Sequence, residues 1–260
     1  MSVGETPVRR LTWTPELVER FWAGVSQTRL SEYSFSRQAG KSLMIAVEHH
    51  LSHDARVLDY GAGDGELVEL LLDRGYRVAA YEPSTSRGDR LLRLVGGQQR
   101  FLGVLDGKAK QQFDVVFMIE VIEHILDQDL DDALQRMRDL LKNGGTLIVT
   151  TPNNEDLELG MVYCPVSNML FHRWQHVRSF TAESLTALLR HYDISPVVVH
   201  HLEFRSDSFV PFDRHWGGDR FISERPSHLE ALRADVPVRH GSESNLLFIG
   251  RKNRAAVWPE

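Results

Sequence analysis

Between Val57 and Glu66 an apolar run meets a tight cluster of glycines: Val57-Leu58-Asp59-Tyr60-Gly61-Ala62-Gly63-Asp64-Gly65. The strand-like segment Arg56–Tyr60 runs directly into Gly61, Gly63 and Gly65, and an amphipathic pattern with Leu67, Leu70 and Leu71 inward starts at once. Glycine permits a turn this tight and lets a ligand lie against bare backbone. The chain is thereby committed to a strand–turn–helix unit of an α/β protein, with a ligand-sized gap at the turn.

The surrounding residues choose among ligands. A dinucleotide fingerprint places its third glycine one residue later, where this chain has Glu66, and a phosphate loop needs Gly-Lys-Ser/Thr, which is absent. The Asp59 carboxylate would repel a pyrophosphate and attract an ammonium group. Glu82 ends the next strand, where it can accept both hydroxyl protons of a ribose. The loop therefore suits a ligand with a ribose, a cationic head and no phosphates, and S-adenosylmethionine fits that description.

Around this unit the pattern alternates. Strands are expected at Arg56–Tyr60, Arg77–Tyr81, Phe101–Leu105, Asp114–Ile119, Thr146–Thr150, Pro196–Leu202 and Asn245–Gly250. Helices are expected at Pro15–Val25, Ser42–Leu51, Glu66–Arg74, Arg87–Leu94, Leu130–Leu141 (closed by Asn143-Gly144-Gly145) and Thr181–His191. Short apolar strands alternating with helices describe a doubly wound, mostly parallel seven-stranded sheet covered on both faces, with ligands beyond the carboxyl ends of the strands. Residues 1–52 are expected to be a helical segment covering cofactor and substrate, and residues 53–260 the core. Insertions 153–179 and 203–242, after the fifth and sixth core strands, are expected to form a lid. They carry aromatics (Trp174, Phe204, Phe209, Phe212, Trp216, Phe221) interleaved with Arg173, Arg178, Arg205, Arg214 and Arg220. Such residues can stack on a substrate or glue the lid to the core.

With 42% hydrophobic and 25% charged residues the 260-residue chain has ordinary globular composition and enough apolar material for a sizeable core. Its 30 Lys+Arg against 36 Asp+Glu give a formal charge of −6, which argues against nucleic acid as a partner. A single cysteine, Cys164, excludes an internal disulfide and an all-cysteine zinc cage. No run approaches the roughly 18 apolar residues of a membrane span, and the expected location is the cytoplasm. The N-terminal stretch and the helix Leu130–Leu141 each offer an apolar face for a homodimer.

The segments Val57–Gly65, Glu82-Pro83, Phe113–Val116, Glu120–His124, Leu141–Gly145 and Thr151–Asn153 occur in the order, and with the residues, of the class I S-adenosylmethionine-dependent methyltransferases, which the chain resembles from Val57 to about Pro152. The resemblance implies that Asp59, Tyr60, Gly61, Ala62 and Gly63 surround the methionine portion, with Glu82 and Pro83 at the ribose. It also implies that an acidic residue after the third strand, Asp106, faces the adenine, with Ile119 and Glu120 completing the pocket.

Glu120, Glu123 and His124 follow the fourth strand, and their spacing puts all three on one face if a helix begins there. With His176 from the first insertion, the Glu-x-x-Glu-His pattern looks like the metal-assisted O-methyltransferases. By that resemblance Glu120, Glu123, His124 and His176 would hold Mg2+ or Mn2+, which would lower a hydroxyl's pKa. Without metal, His124 or His176, beside Glu123, is the natural general base. The expected reaction is methyl transfer to a hydroxyl of a small molecule or glycan. The alternatives are a terminal 2′-O-methyltransferase of RNA, for which the negative balance is unfavourable, and a non-catalytic module that binds the cofactor.

Overall fold

The structure, a computed structural model, describes residues 7–204 and 227–254. The elements are β1 (Arg9–Arg10), α1 (Pro15–Ser26), α2 (Phe35–Val47), β2 (Arg56–Tyr60), α3 (Glu66–Asp73), β3 (Arg77–Tyr81), α4 (Thr85–Val95), β4 (Phe101–Val104) and β5 (Phe113–Ile119). They continue with α5 (Asp127–Leu140), β6 (Leu141–Pro152), β7 (Met161–Cys164), β8 (Met169–His172), α6 (Ala182–His191), β9 (Ile194–Leu202), α7 (Ser227–Arg233) and β10 (Asn245–Lys252).

Because successive strand residues face opposite ways, the apolar strands feed two cores. Val57, Val78, Val115, Phe117 and Ile148 pack under α2, α3 and α4, while Leu58, Val116, Met118, Leu147 and Val149 pack under α5 and α6. The seven strands run in the order β4-β3-β2-β5-β6-β10-β9, with β10 antiparallel to both of its neighbours. The order reverses between β2 and β5, so the crevice beyond the carboxyl ends of these two strands is the switch point. The expected doubly wound seven-stranded fold is therefore the observed one.

Two local readings are corrected. α5 buries Leu134, Met137 and Leu140 against the sheet, so its apolar face is spent inside the protein rather than offered to a second copy. Nor does Asn143-Gly144-Gly145 cap that helix. Leu141 turns directly into β6, and the two glycines sit at a register shift where Phe113 pairs with Leu141 but Val115 with Thr146. The helix is closed instead from β10: the Lys252 Nζ donates to the carbonyls of Arg138 and Leu141, both at 2.7 Å. A cation at the carbonyls of the last turn, where Arg138 also accepts the Leu141 N–H, does the work of a glycine cap.

The first insertion is ordered as a hairpin, β7 against β8, extended by the N-terminal β1 parallel to β8. Of the second insertion, Phe204 is buried against the ring of Phe35, at 5.3 Å between centroids. The expected lid residues from Arg205 through Phe221 lie outside the described residues. Among the described residues no helix is long and apolar enough to cross a membrane.

Candidate active site

The turn after β2 is built as the glycines require. Gly61, Gly63 and Gly65 all have left-handed backbone, at φ +86°, +58° and +99°. A side chain on Gly61 would run into Val121 of the loop after β5, and one on Gly63 into the guanidinium of Arg87. The N–H groups of Gly61 and Ala62 donate to the carbonyl of Tyr81, and that of Gly63 to Glu82 Oε2 at 2.7 Å. Glu82 also accepts the Ser84 N–H, so its carboxylate is held across the mouth of the turn, beside the exposed Pro83.

Asp59 is 3% exposed, and burial pushes its carboxyl up to about 8, assisted by the negative charges of Glu82 and Glu66 and opposed by Arg87. Glu82 is likewise raised by burial, against the pull of Arg87. Two reluctant carboxylates at the carboxyl ends of β2 and β3 make a place that a cation would relieve. Tyr60 takes no side-chain part in it: its hydroxyl donates to the Ala133 carbonyl of α5, on the other face of the sheet. Asp106 is exposed after β4, and its Oδ1 accepts the N–H of Lys108.

Glu120, Glu123 and His124 do not lie on a helix. Glu120, just past the buried Ile119, has left-handed backbone at φ +50°, and its N–H donates to the Thr150 carbonyl across the sheet end. The chain then turns through Val121–His124 before α5 begins at Asp127. This turn splits the expected quartet. Donor atoms of Glu123, His124 and His176 lie within 4.8 Å of one another, whereas Glu120 stands outside that group, with its Oε1 accepting from Asn245 at 3.2 Å.

Glu123 is fully buried; its Oε2 accepts from Thr151, and Oε1 makes no hydrogen bond among the described residues. Burial and the charge of Glu120 hold the Glu123 carboxyl well above its ordinary range. Burial, and then His176, hold His124 well below the ordinary imidazole range, so it stands neutral.

His176 faces His124 at 4.8 Å between rings and is oriented by a residue that sequence reasoning missed: its Nδ1 lies 2.5 Å from Glu155 Oε2. Against a desolvation that would raise it, the His176 and His172 rings bring the Glu155 carboxyl below its usual value. His172 shapes the turn, its Nδ1 accepting the N–H of His176 at 3.2 Å, with its ring against Gly160.

The insertion is fastened to the loop after β5 by polar contacts. Gln175, fully buried at φ +64°, donates to the His124 carbonyl and accepts from the Trp22 indole of α1. Val177 N–H donates to the Glu123 carbonyl, and the Arg178 guanidinium to the carbonyls of Ile122 and Ile125 and to Asp127. Trp22 completes the enclosure, edge-on to His124 at 5.0 Å and under the Arg87 guanidinium at 4.8 Å. Glycine turn, Arg87, Trp22, His124 and His176 thus form one continuous wall. Glu155, Gln175 and Trp22 carry no motif; the only signal for them was their place in an insertion and in the N-terminal segment.

A family model described as a methyltransferase domain matches residues 28–199. The chain belongs to the methyltransferase-domain family. Its fold is that of the class I S-adenosylmethionine-dependent methyltransferases. It is 27% identical over 181 residues to a mitochondrial ubiquinone biosynthesis O-methyltransferase of Homo sapiens, covering 62% of this chain and 46% of that protein. It is 28% identical to a ubiquinone biosynthesis O-methyltransferase of Ruegeria pomeroyi, covering 71% and 74%. The chain spans about half the length of the first curated relatives it matches. Among solved structures it resembles the 1,6-didemethyltoxoflavin-N1-methyltransferase of Burkholderia thailandensis, solved with S-adenosylhomocysteine, at a TM-score of 0.58 and 21% identity over 95% of this chain and 94% of that one. A nitrogen acceptor on the same fold shows that the fold does not choose the acceptor atom. The bare glycine turn and the two raised carboxyls fit a cationic nucleoside.

Proposed function

We propose that this methyltransferase acts on a hydroxyl of a small molecule, with His176 as general base oriented by Glu155. The observation that carries the reading is the 2.5 Å contact between His176 Nδ1 and Glu155 Oε2, on the wall that continues from the glycine turn. A carboxylate on one ring nitrogen fixes the tautomer and leaves Nε2 to take a proton. Bound S-adenosylmethionine supplies a methyl group already activated on its sulfonium. The chain's part is to align and deprotonate: Asp59 faces the cationic head, Glu82 accepts from the ribose, and Trp22 with Gln175 closes the pocket against water. An oxygen acceptor needs the proton removed, which suits a basic residue here. The names of the ubiquinone O-methyltransferase relatives support the same acceptor atom.

A second reading is favoured by Glu123 Oε1 and His124 Nδ1, buried atoms without a hydrogen bond among the described residues. With His176 they could hold a divalent ion that would polarise the acceptor oxygen. Two imidazoles and a carboxylate suit Mn2+ or a heavier transition ion better than Mg2+.

Turnover of S-adenosylmethionine against a panel of phenols, catechols, sugars and amines, with and without EDTA, tests both. On the first reading His176→Ala loses on the order of 10²-fold in kcat. Glu155→Gln loses less, because the amide oxygen can still accept from Nδ1 and orient the ring. Wild-type turnover in His176→Ala, or methyl groups found only on amines, would overturn the general-base reading. Activity abolished by EDTA and restored by Mn2+ would put the ion in its place.

A further inference from the structure

A second cluster lies on the face of the sheet covered by α2 and α7, and it shares no residue with the candidate active site. α2 ends in a single 3-10 turn, Glu48–His50, that presents two consecutive imidazoles with ring centroids 4.0 Å apart. Both Nε2 atoms converge on one oxygen of Asp235, which follows α7: His49 at 3.4 Å and His50 at 3.0 Å from Oδ1. All three donor atoms lie within 4.8 Å of one another.

These spacings are those of a coordination sphere. A tetrahedral zinc ion with bonds of about 2.0–2.1 Å separates its ligand atoms by about 3.3 Å, and the two nitrogen–oxygen distances fall on either side of that value. The inner imidazole meets the carboxylate at contact distance but out of line for a good hydrogen bond. His50 has a side chain only 4% exposed, and its Nε2, though close to the carboxylate, makes no hydrogen bond among the described residues. A buried nitrogen that approaches a carboxylate oxygen out of line for a hydrogen bond is placed as two ligands of one ion would be, with the ion to the side of the line that joins them.

We infer that His49, His50 and Asp235 form a binding site for a divalent transition-metal ion of the zinc type, with the fourth position left to water. Two imidazoles and one carboxylate select Zn2+, Co2+ or Ni2+ over Mg2+ or Ca2+. The ion joins the end of α2 to the turn after α7, the first described helix beyond residues 205–226, and so pins the place where the second insertion re-enters the core.

The test is chelator-competition titration of the full chain with Zn2+, and separately with Mg2+, in a His124→Ala/His176→Ala background that silences the other histidine group. The expected result is one Zn2+ per chain, no Mg2+, and a rise in Tm with added Zn2+. Asp235→Asn and His50→Gln should each weaken Zn2+ binding at least about tenfold, with circular dichroism showing that the variants fold. Co2+ loaded in place of Zn2+ should give the intense visible absorption of a tetrahedral site, lost in Asp235→Asn. Should the background variant not fold, the comparison of wild type with Asp235→Asn serves, as the loss of one Zn2+ equivalent. Absence of a Zn2+ site in the folded background, or undiminished binding in Asp235→Asn, overturns the inference.

Discussion

Replacing Asp59 by asparagine should stabilise this protein while removing its grip on the cofactor. Burial carries the Asp59 carboxyl from 3.8 to about 8 in the folded chain. A carboxyl raised on folding contributes most stability below its unfolded value and loses it as pH rises toward the folded value. Between pH 3.8 and pH 7 about three pH units, each worth about 1.4 kcal/mol, subtract on the order of 4 kcal/mol from the wild type. Asparagine never ionises and avoids that loss, but burying its amide costs about 1–3 kcal/mol. The net gain at pH 7 is therefore on the order of 1–3 kcal/mol. A difference between two pH values removes the amide's contribution: from pH 5 to pH 7 the advantage of Asp59→Asn should widen by about 3 kcal/mol. Urea unfolding of the cofactor-free proteins at the two pH values measures this. An advantage that stays constant with pH, or a variant less stable at pH 7 by more than at pH 5, refutes the burial argument. The same variant should bind S-adenosylmethionine more weakly in calorimetry, since the cation then lacks its counter-charge, and this exchange of stability for binding is expected of a functional carboxylate.

Two further outcomes follow from the geometry. Gly63→Ala forces a side chain into left-handed backbone at φ +58° and against Arg87; at about 1–2 kcal/mol the Tm should fall by about 2–8 °C, and an Arg87→Ala partner should relieve only part of it, as differential scanning calorimetry would show. Lys252→Met removes the ammonium that the carbonyls of Arg138 and Leu141 share; a loss of about 1–3 kcal/mol is expected in denaturant unfolding, with cofactor affinity unchanged.

The sequence by itself determined the sheet and the glycine turn. Strands such as Arg56–Tyr60 and Arg77–Tyr81 are legible to the residue because a buried parallel strand is a short apolar run that a polar turn must end. Gly61, Gly63 and Gly65 are legible because left-handed backbone at a close approach leaves little choice of residue. Asp59 and Glu82 follow from their positions at strand ends. What the spacing of Glu120, Glu123 and His124 could not reveal is that the chain enters left-handed backbone at Glu120 instead of starting a helix, because the Thr150 carbonyl that captures its N–H belongs to a strand thirty positions away. Lys252 capping α5, Glu155 orienting His176 and Gln175 bridging Trp22 to the His124 carbonyl are of the same kind. Periodicity and turn chemistry are written in neighbouring residues, whereas a hydrogen bond between distant segments leaves no local pattern, and only the packed sheet decides which donors and acceptors meet at its carboxyl edge.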